Sequence, residues 1–362
     1  MKVLVTGGAG YAGHRIVPYL MSHKHEIVVY DTMWFGEYFP NILKDAGLKL
    51  VKGDIRDTTK LQELMVIEQF DAVIHLACIS NDPSFELDES LSRTINFEAF
   101  EPLVVAAKTA GIKRFINVST SSVYGISDAP EVTEDHPHVP ITLYNTFKSK
   151  CEPILFKYMD DDFICVNVRP STHCGYSQRM RFDLSVNILT NLAISTGKII
   201  VHGGAQLRPN IHVQDIARCY RVLLEANANL VQGETFNCGV QNMSIADLAD
   251  LVAVVVAKEF NRDIEIEVHP IKDIRSYHVN SDKIKRVLGF TPKLTVEDAI
   301  NDLCKAFKYG LFNDTMNNDE YYNVKQMRRV FPDLYKNAPP TVMDARKGIM
   351  SEIDLHRGIK HD

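Results

Sequence analysis

The longest purely apolar run, Leu251 to Ala257, is far too short to cross a bilayer. The opening MKVLVTGG enters a strand at once and gives no secretory signal. Cysteine is sparse and unpatterned. The seven thiols are odd in number and never spaced C-x-x-C. That argues against a disulfide framework or a zinc site, and for a reducing, cytoplasmic compartment. His23 and His25, at i and i+2 beside a polar turn, read as solvated surface, so no metal is expected. A net charge of −6 leaves no electrostatic case for nucleic acid. No membrane association, internal repeat or low-complexity tract is indicated.

What remains is an ordinary globular composition, 45% hydrophobic and 24% charged, over 362 residues. Such a chain can bury a large core and build two lobes around one cleft. Its first half alternates strands and helices. Strands are expected at Lys2–Val5, Glu26–Tyr30, Lys49–Lys52, Asp71–Leu76, Lys113–Val118 and Phe163–Val168. Helices are expected at His14–Ser22, Thr58–Gln69 and Leu91–Ala110. The strands are apolar on both faces, as in a sheet covered on both sides by helices. The fold class is therefore α/β: a Rossmann-type, doubly wound parallel sheet with right-handed crossovers. Residues 1–168 read as this nucleotide-binding domain, to which later segments return. Residues 169–310 read as a smaller α/β substrate lobe, with helices near Leu184–Ser195, Gln214–Ala226, Ile245–Val256 and Val296–Phe307. Residues 311–362 form a polar arm that lies on the body or on a neighbouring subunit.

TGGAGYAG, Thr6 to Gly13, links the first strand to the first helix. Gly7, Gly10 and Gly13 have the G-x-x-G-x-x-G spacing of a dinucleotide turn. Their backbone, with that of Tyr11 and Ala12, offers free N–H groups and a positive helix end to a pyrophosphate. Asp31 ends the second strand, where a carboxylate accepts from ribose hydroxyls and repels a 2′-phosphate. NAD is therefore favoured over NADP. Asp54 and Ile55, after the third strand, are placed beside the adenine. Leu76 and Ala77, after the fourth, are placed under the cofactor's diphosphate and nicotinamide ribose.

Four hydroxyl residues in a row, Ser119 to Ser122, close the fifth strand. They serve either as turn formers or as donors to a ligand. Twenty-four residues after Thr120 comes YNTFK, with Tyr144 and Lys148 at i and i+4 on one helix face. An ammonium beside a phenol lowers the phenol pKa from about 10, so the tyrosine can take a proton from an alcohol as hydride leaves the same carbon.

With TGGAGYAG, GDIRD, VIHLA, STSSVYG, YNTFK, RPNIHVQDIA and KIKRVLGFTPK together, the chain resembles the extended short-chain dehydrogenase/reductase family, in its nucleotide-sugar epimerase/dehydratase branch. The resemblance runs from Met1 to about Phe307. It implies tightly held NAD, a nucleoside diphosphate sugar oxidised at carbon 4, Tyr144 as base, Lys148 as its partner and Thr120 as the hydroxyl that positions the sugar alcohol. Ser119 is then left to serve the backbone. Relatives that eliminate water carry an Asp-Glu pair where Ser121 and Ser122 stand, so the pattern is nearest the 4-epimerases. A 4,6-dehydratase or 4-keto-sugar reductase is the alternative, and a non-catalytic NAD-binding protein a third reading.

For the substrate, the resemblance implies diphosphate contacts from Arg208 and Arg275, and further contacts from Ser121 and Asn187. Pro209 departs from the family's Asp. Ser171 and Thr172 are expected near the nicotinamide amide, Arg179 and Arg181 facing the nucleotide, and His173 as a packed loop residue. The family also pairs two helices into a homodimer seam. Here the stripes are Ile95, Leu103 and Ala107, and Ile154, Leu155 and Tyr158. Pro102 and Pro153 should kink or break those helices.

Overall fold

The structure is a computed structural model that describes residues 1–127, 129–269 and 278–332. Strands β1 (Lys2–Thr6), β2 (Glu26–Asp31), β3 (Lys49–Lys52), β4 (Ala72–His75), β5 (Arg114–Val118) and β6 (Ile164–Pro170) come from the first half. They are followed by β7 (Thr172–Cys174), β8 (Lys198–His202), β9 (Leu207–His212), β10 (Glu234–Cys238), β11 (Gln241–Ser244) and β12 (Glu265–His269). Seven of these form one parallel sheet in the order β10-β6-β5-β4-β1-β2-β3. The order reverses at β1, so a crevice opens beyond the carboxyl ends of β1 and β4, where such sheets bind ligands. β10 is the strand the sequence did not announce. Its short ETFNC segment lies deep in the second half, yet it returns to the first-half sheet beside β6.

Side chains of each strand alternate between two cores. Val3, Val5, Ile27, Val29, Ile74, Ile116 and Val166 pack with Ile16, Leu20, Ile216, Tyr220 and Leu223 on one face. Leu4, Val28, Tyr30, Val73, Phe115 and Cys165 pack with Leu61, Met65, Phe100, Leu103, Val104 and Leu155 on the other. A third core, with Val186, Leu189, Leu248, Val252, Val256 and Ile300, is built from second-half elements. There β11-β9-β7 and β12-β8 form two small sheets. All seven cysteines are free thiols, and only Cys78 is more than slightly exposed. Among the described residues no helix is long and apolar enough to cross a membrane, and no cluster of three metal-ligating side chains occurs.

Three expectations need correction. His25 is buried rather than solvated, its Nε2 lying 3.1 Å from Glu225 Oε1. The single helix expected over Leu91–Ala110 is three pieces: an α-turn Glu89–Arg93, a π-turn Thr94–Glu98 and a helix Phe100–Thr109. Pro102 causes no kink inside the last piece because it falls in its first turn, where its missing N–H has no partner to lose. The π-turn turns Asn96 inward, where Oδ1 accepts from Ile79 N at 2.8 Å and Nδ2 donates to Ile79 O at 2.9 Å. The apolar stripes named for a dimer seam are spent within the chain: Ile95, Leu103, Ala107 and Leu155 are buried in its own core, with Ile154 and Tyr158 packed against it.

Helix Leu143–Phe156 carries Tyr144, Lys148 and Glu152 along one face. Thr142 caps its N-terminus by accepting from Asn145 N. Pro153 lies in its last turn, and the helix ends three residues later. Glu152 is its anchor. Arg169 on β6 donates from Nε and Nη2 to the Glu152 carboxylate, at 3.0 and 2.7 Å to the nearer oxygens. It also donates from Nη1 to Tyr124 Oη at 2.7 Å and Glu134 O at 3.0 Å. Glu152 and Arg169 are 3% and 5% exposed, so Glu152→Gln strands a buried guanidinium. That should cost about 3–5 kcal/mol, read by urea unfolding. A loss under about 1 kcal/mol would show that the pair does not anchor the helix.

Candidate functional site

The turn after β1 is held by contacts that admit no side chain. Gly7 has φ +73°, and a Cβ there would lie 2.5 Å from Ala77 N and Cα. A Cβ on Gly13 would lie 2.1 Å from Gly8 O, whereas one on Gly10 would meet nothing nearer than 3.2 Å. Gly7 therefore seats the turn on the end of β4, Gly13 seats the helix Gly13–Ser22 on the turn, and Gly10 is the less crowded position. The Asp31 carboxylate locks the outer edge, accepting from Ala9 N at 3.0 Å and Met33 N at 2.8 Å. Burial raises its pKa above the usual carboxylate range, against the pull of those two amides. Both sides of the crevice are thus fixed before any ligand arrives.

One cleft of about 330 Å³ runs along this crevice. Gly7, Gly10, Tyr11, Ala12, Gly13, Asp31, Asp54, Ile55, Leu76 and Ala77 line one end. Thr120, Ser121, Tyr144, Lys148 and Ser171 line the other. The topology brings these segments together from six separate loops and one helix. Lys148 is 5% exposed, and its Nζ donates to Val118 O at the end of β5, 2.7 Å away. An ammonium has three donors, so two are left for the cleft. Thr120 Oγ1 accepts from Ser122 N at 3.2 Å, capping the single turn Ser121–Tyr124 and keeping its own hydrogen to donate. Tyr144 meets the ring of Phe85 edge-on at 6.4 Å.

Several polar atoms of this cleft are buried with no hydrogen-bond partner among the described residues: Ser119 Oγ, Asn145 Oδ1, Ser171 Oγ, His173 Nε2 and Arg179 Nε. A buried polar group left unmade costs about 1–3 kcal/mol. Others of this kind lie elsewhere in the fold, but these five line one cleft, which fits a polar ligand. The glycine turn and Asp31 at one end, and the hydroxyl–phenol–ammonium group at the other, fit the two ends of a dinucleotide. Ser119 departs from expectation: its backbone N donates to Val168 O, but its hydroxyl does not serve the backbone. His173 is packed as expected, but on β7 and not in a loop, and its buried Nε2 has no hydrogen-bond partner among the described residues.

Other expected contacts fall elsewhere. Asn187 is fully buried and spends its amide on the protein, accepting from Gly175 N and donating to Tyr11 Oη and Arg181 O. It shapes the floor and does not line the cleft. Arg208 sits on β9 outside the lining residues, with Nη1 donating to Leu207 O at 2.9 Å. Arg275 lies outside the described residues. The chain adds lining residues that the sequence reading missed: Trp34, Phe35, Ser80, Asn81, Asp82 and, from the polar arm, Asn323. A signal exists only for Ser80, Asn81 and Asp82, a polar triplet shortly after VIHLA at a strand's carboxyl end.

His75, at the end of β4, shares a hydrogen of 2.8 Å heavy-atom distance with Thr6 Oγ1 and is 4% exposed. Burial first, and then the Lys148 charge, lower its pKa to about 3. The folded protein therefore keeps it neutral where the unfolded chain, with an ordinary value of 6.5, takes a proton. Stability should fall as pH drops from about 6.5 towards 3. His75→Gln should remove one proton from that dependence, about 1.4 kcal/mol per pH unit, in urea titrations across this range. An unchanged slope would mean that His75 is charged in the fold.

Comparison with known proteins identifies the family. The sequence profile of the NAD dependent epimerase/dehydratase family matches residues 3–239. A UDP-glucose 4-epimerase of Lactobacillus helveticus is 28% identical over 336 residues, covering 85% of this chain and 97% of its own. A dTDP-D-glucose 4,6-dehydratase of Mus musculus is 28% identical over 328 residues, covering 86% and 90%. Among solved structures, UDP-glucose 4-epimerase of Thermotoga maritima with UDP-glucose superposes with a TM-score of 0.75 at 22% identity, covering 86% of this chain and 100% of that one. The dTDP-glucose 4,6-dehydratase DesIV of Streptomyces venezuelae, with NAD bound, gives 0.74 at 23% identity, covering 85% and 97%. The chain is an enzyme of the NAD-dependent epimerase/dehydratase family.

Proposed function

We propose that the protein is a nucleotide-sugar 4-epimerase that oxidises carbon 4 of a nucleoside diphosphate sugar transiently and reduces it again. The observation that supports this reading is that Thr120, Tyr144 and Lys148 line the same cleft as the glycine turn. NAD, when bound, accepts the hydride and gives it back. Tyr144 takes the proton of the carbon-4 hydroxyl, and Thr120 donates to the same oxygen and fixes its direction. The Lys148 charge favours the phenolate of Tyr144. Gly7, Gly10, Tyr11, Ala12 and Gly13 face the cofactor diphosphate, and Asp31 its adenosine ribose. Asp54 and Ile55 flank the adenine, and Leu76, Ala77 and Ser171 the nicotinamide half.

Ser121 and Ser122 stand beside Thr120 and bring no acid to the sugar, which supports re-reduction over loss of water. A second reading, a 4,6-dehydratase, draws support from Asp82. Its carboxylate lines the same cleft and accepts from Thr142 Oγ1 at 2.7 Å. Ser121 is kept as a substrate contact, and Arg208 and Arg275 as candidates for the substrate diphosphate. The enzyme is further proposed to act in the cytoplasm as a homodimer. The seam would use faces of Phe100–Thr109 and Leu143–Phe156 other than the buried stripes, including exposed Val105.

Incubation with UDP-, dTDP-, GDP- and CDP-sugars should yield a product of unchanged mass from at least one. Loss of water would establish the dehydratase reading, and gain of two hydrogens a reductase. Tyr144→Phe should lower turnover by about 10²–10⁴-fold while the variant still binds NAD. Turnover close to wild type would remove Tyr144 from the chemistry. Light scattering on the purified protein at micromolar concentration should give twice the chain mass, and a monomer would end the dimer proposal.

A further inference from the structure

Arg179 is a buried cation in the cleft wall that forms no salt bridge among the described residues. It is 2% exposed. Nη2 donates to Asn323 Oδ1 at 2.6 Å, the guanidinium carbon lies 4.4 Å from the Phe35 ring centroid, and Nε has no partner among the described residues. The nearby carboxylates are engaged elsewhere. Asp183 receives Arg181 Nε at 2.8 Å and Nη2 at 3.1 Å, and also Asn323 N at 3.1 Å. Asp31 receives the amides of Ala9 and Met33. Burial, and then the neighbouring charge of Arg181, pull the Arg179 pKa from an ordinary 12.5 to about 9. A charge held this way is costly unless a counter-charge arrives.

Its position indicates which counter-charge. His14, in the first turn of the helix after the glycine turn, and Asp31, at the end of β2, both feel the Arg179 charge. The guanidinium therefore lies on the side of the cleft shared by the helix N-terminus and the adenosine end. That helix end is itself positive and rich in free N–H groups. We infer that Arg179 is a ligand for the diphosphate of the bound dinucleotide, held in place by Asn323 of the C-terminal segment. The inference rests on the cofactor placement proposed above.

Asn323 is a positioning residue. Its Nδ2 donates to Ser80 Oγ at 3.0 Å, so its Oδ1 is turned to Arg179. The segment bearing it is docked on the body. Tyr322 and Met327 are buried, Tyr322 Oη donates to Thr315 O at 2.9 Å, and Gln326 Nε2 donates to Trp34 O at 2.9 Å. The polar arm thus completes one wall of the cofactor cleft, a task that its sequence does not advertise.

The test is calorimetric titration of NAD-free enzyme with NAD, ADP-ribose, adenosine, NADP and UDP, for wild type, Arg179→Met, Arg179→Lys and Asn323→Ala. Arg179→Met should weaken NAD and ADP-ribose by about ten- to a hundredfold and leave adenosine within about twofold. Arg179→Lys, which keeps the charge, should recover part of the loss. Asn323→Ala should weaken NAD by about three- to tenfold. NAD-free Arg179→Met should melt no lower than NAD-free wild type, since it loses a buried charge that forms no salt bridge among the described residues. NAD binding within about twofold of wild type in Arg179→Met would overturn the inference. So would equal losses for adenosine and NAD, which mark general disruption. A loss confined to NADP or to UDP would do the same, and would assign the charge to a 2′-phosphate or to the substrate. Failure of the wild type to bind NAD at all would instead sink the cofactor placement.

Discussion

Lys148 Nζ donates to the carbonyl of Val118, and that bond fastens the helix bearing Tyr144 to the sheet end bearing Thr120. A buried ammonium needs acceptors, and the carbonyl at the end of β5 supplies one. The helix is then pinned at two points along one face: at Lys148 to the sheet's carboxyl edge, and at Glu152 to Arg169 on β6. The phenol, the hydroxyl and the ammonium keep their relative places because these two buried polar contacts leave the helix no low-cost slide or rotation. Preorganisation of this kind lets a base and a donor act without rearranging as the proton moves.

The remainder of the cleft is organised by close backbone approach and by polar groups the protein itself does not satisfy. Gly7 against Ala77 and Gly13 against Gly8 join turn, strand and helix with no room for a methyl group. The π-turn at Thr94–Glu98 aims Asn96 at both backbone groups of Ile79, which steadies the loop after β4. Around this frame, Ser119, Asn145, Ser171, His173 and Arg179 each hold a buried atom without a hydrogen-bond partner among the described residues. Stability is given up here, and a bound dinucleotide with its sugar substrate would return it.

Much of this was legible in the sequence, and for stated physical reasons. Most of β1 to β6 are apolar runs closed by turn residues, and the glycine spacing and the Tyr-x-x-x-Lys pair are local patterns with one geometric meaning in that context. Features that depend on distant partners were not legible. β10 is a strand only because β6 offers it an open edge. The break before Phe100 depends on how a π-turn admits Asn96 to the loop after β4. Asn187 looked like a ligand contact by position, but its amide is consumed by Gly175, Tyr11 and Arg181, a fact carried by tertiary structure alone. Asn323 lies in a polar stretch with little periodicity, and nothing near it in sequence shows that it reaches the cleft.

The central claim is reversible oxidation at carbon 4, with the hydride returned to the carbon it left. A nucleotide sugar carrying deuterium at carbon 4 tests it most directly. The account predicts slower turnover of the labelled substrate and a product, inverted at carbon 4, that still carries deuterium there. Deuterium at another carbon of the product, or its loss to solvent, would contradict it.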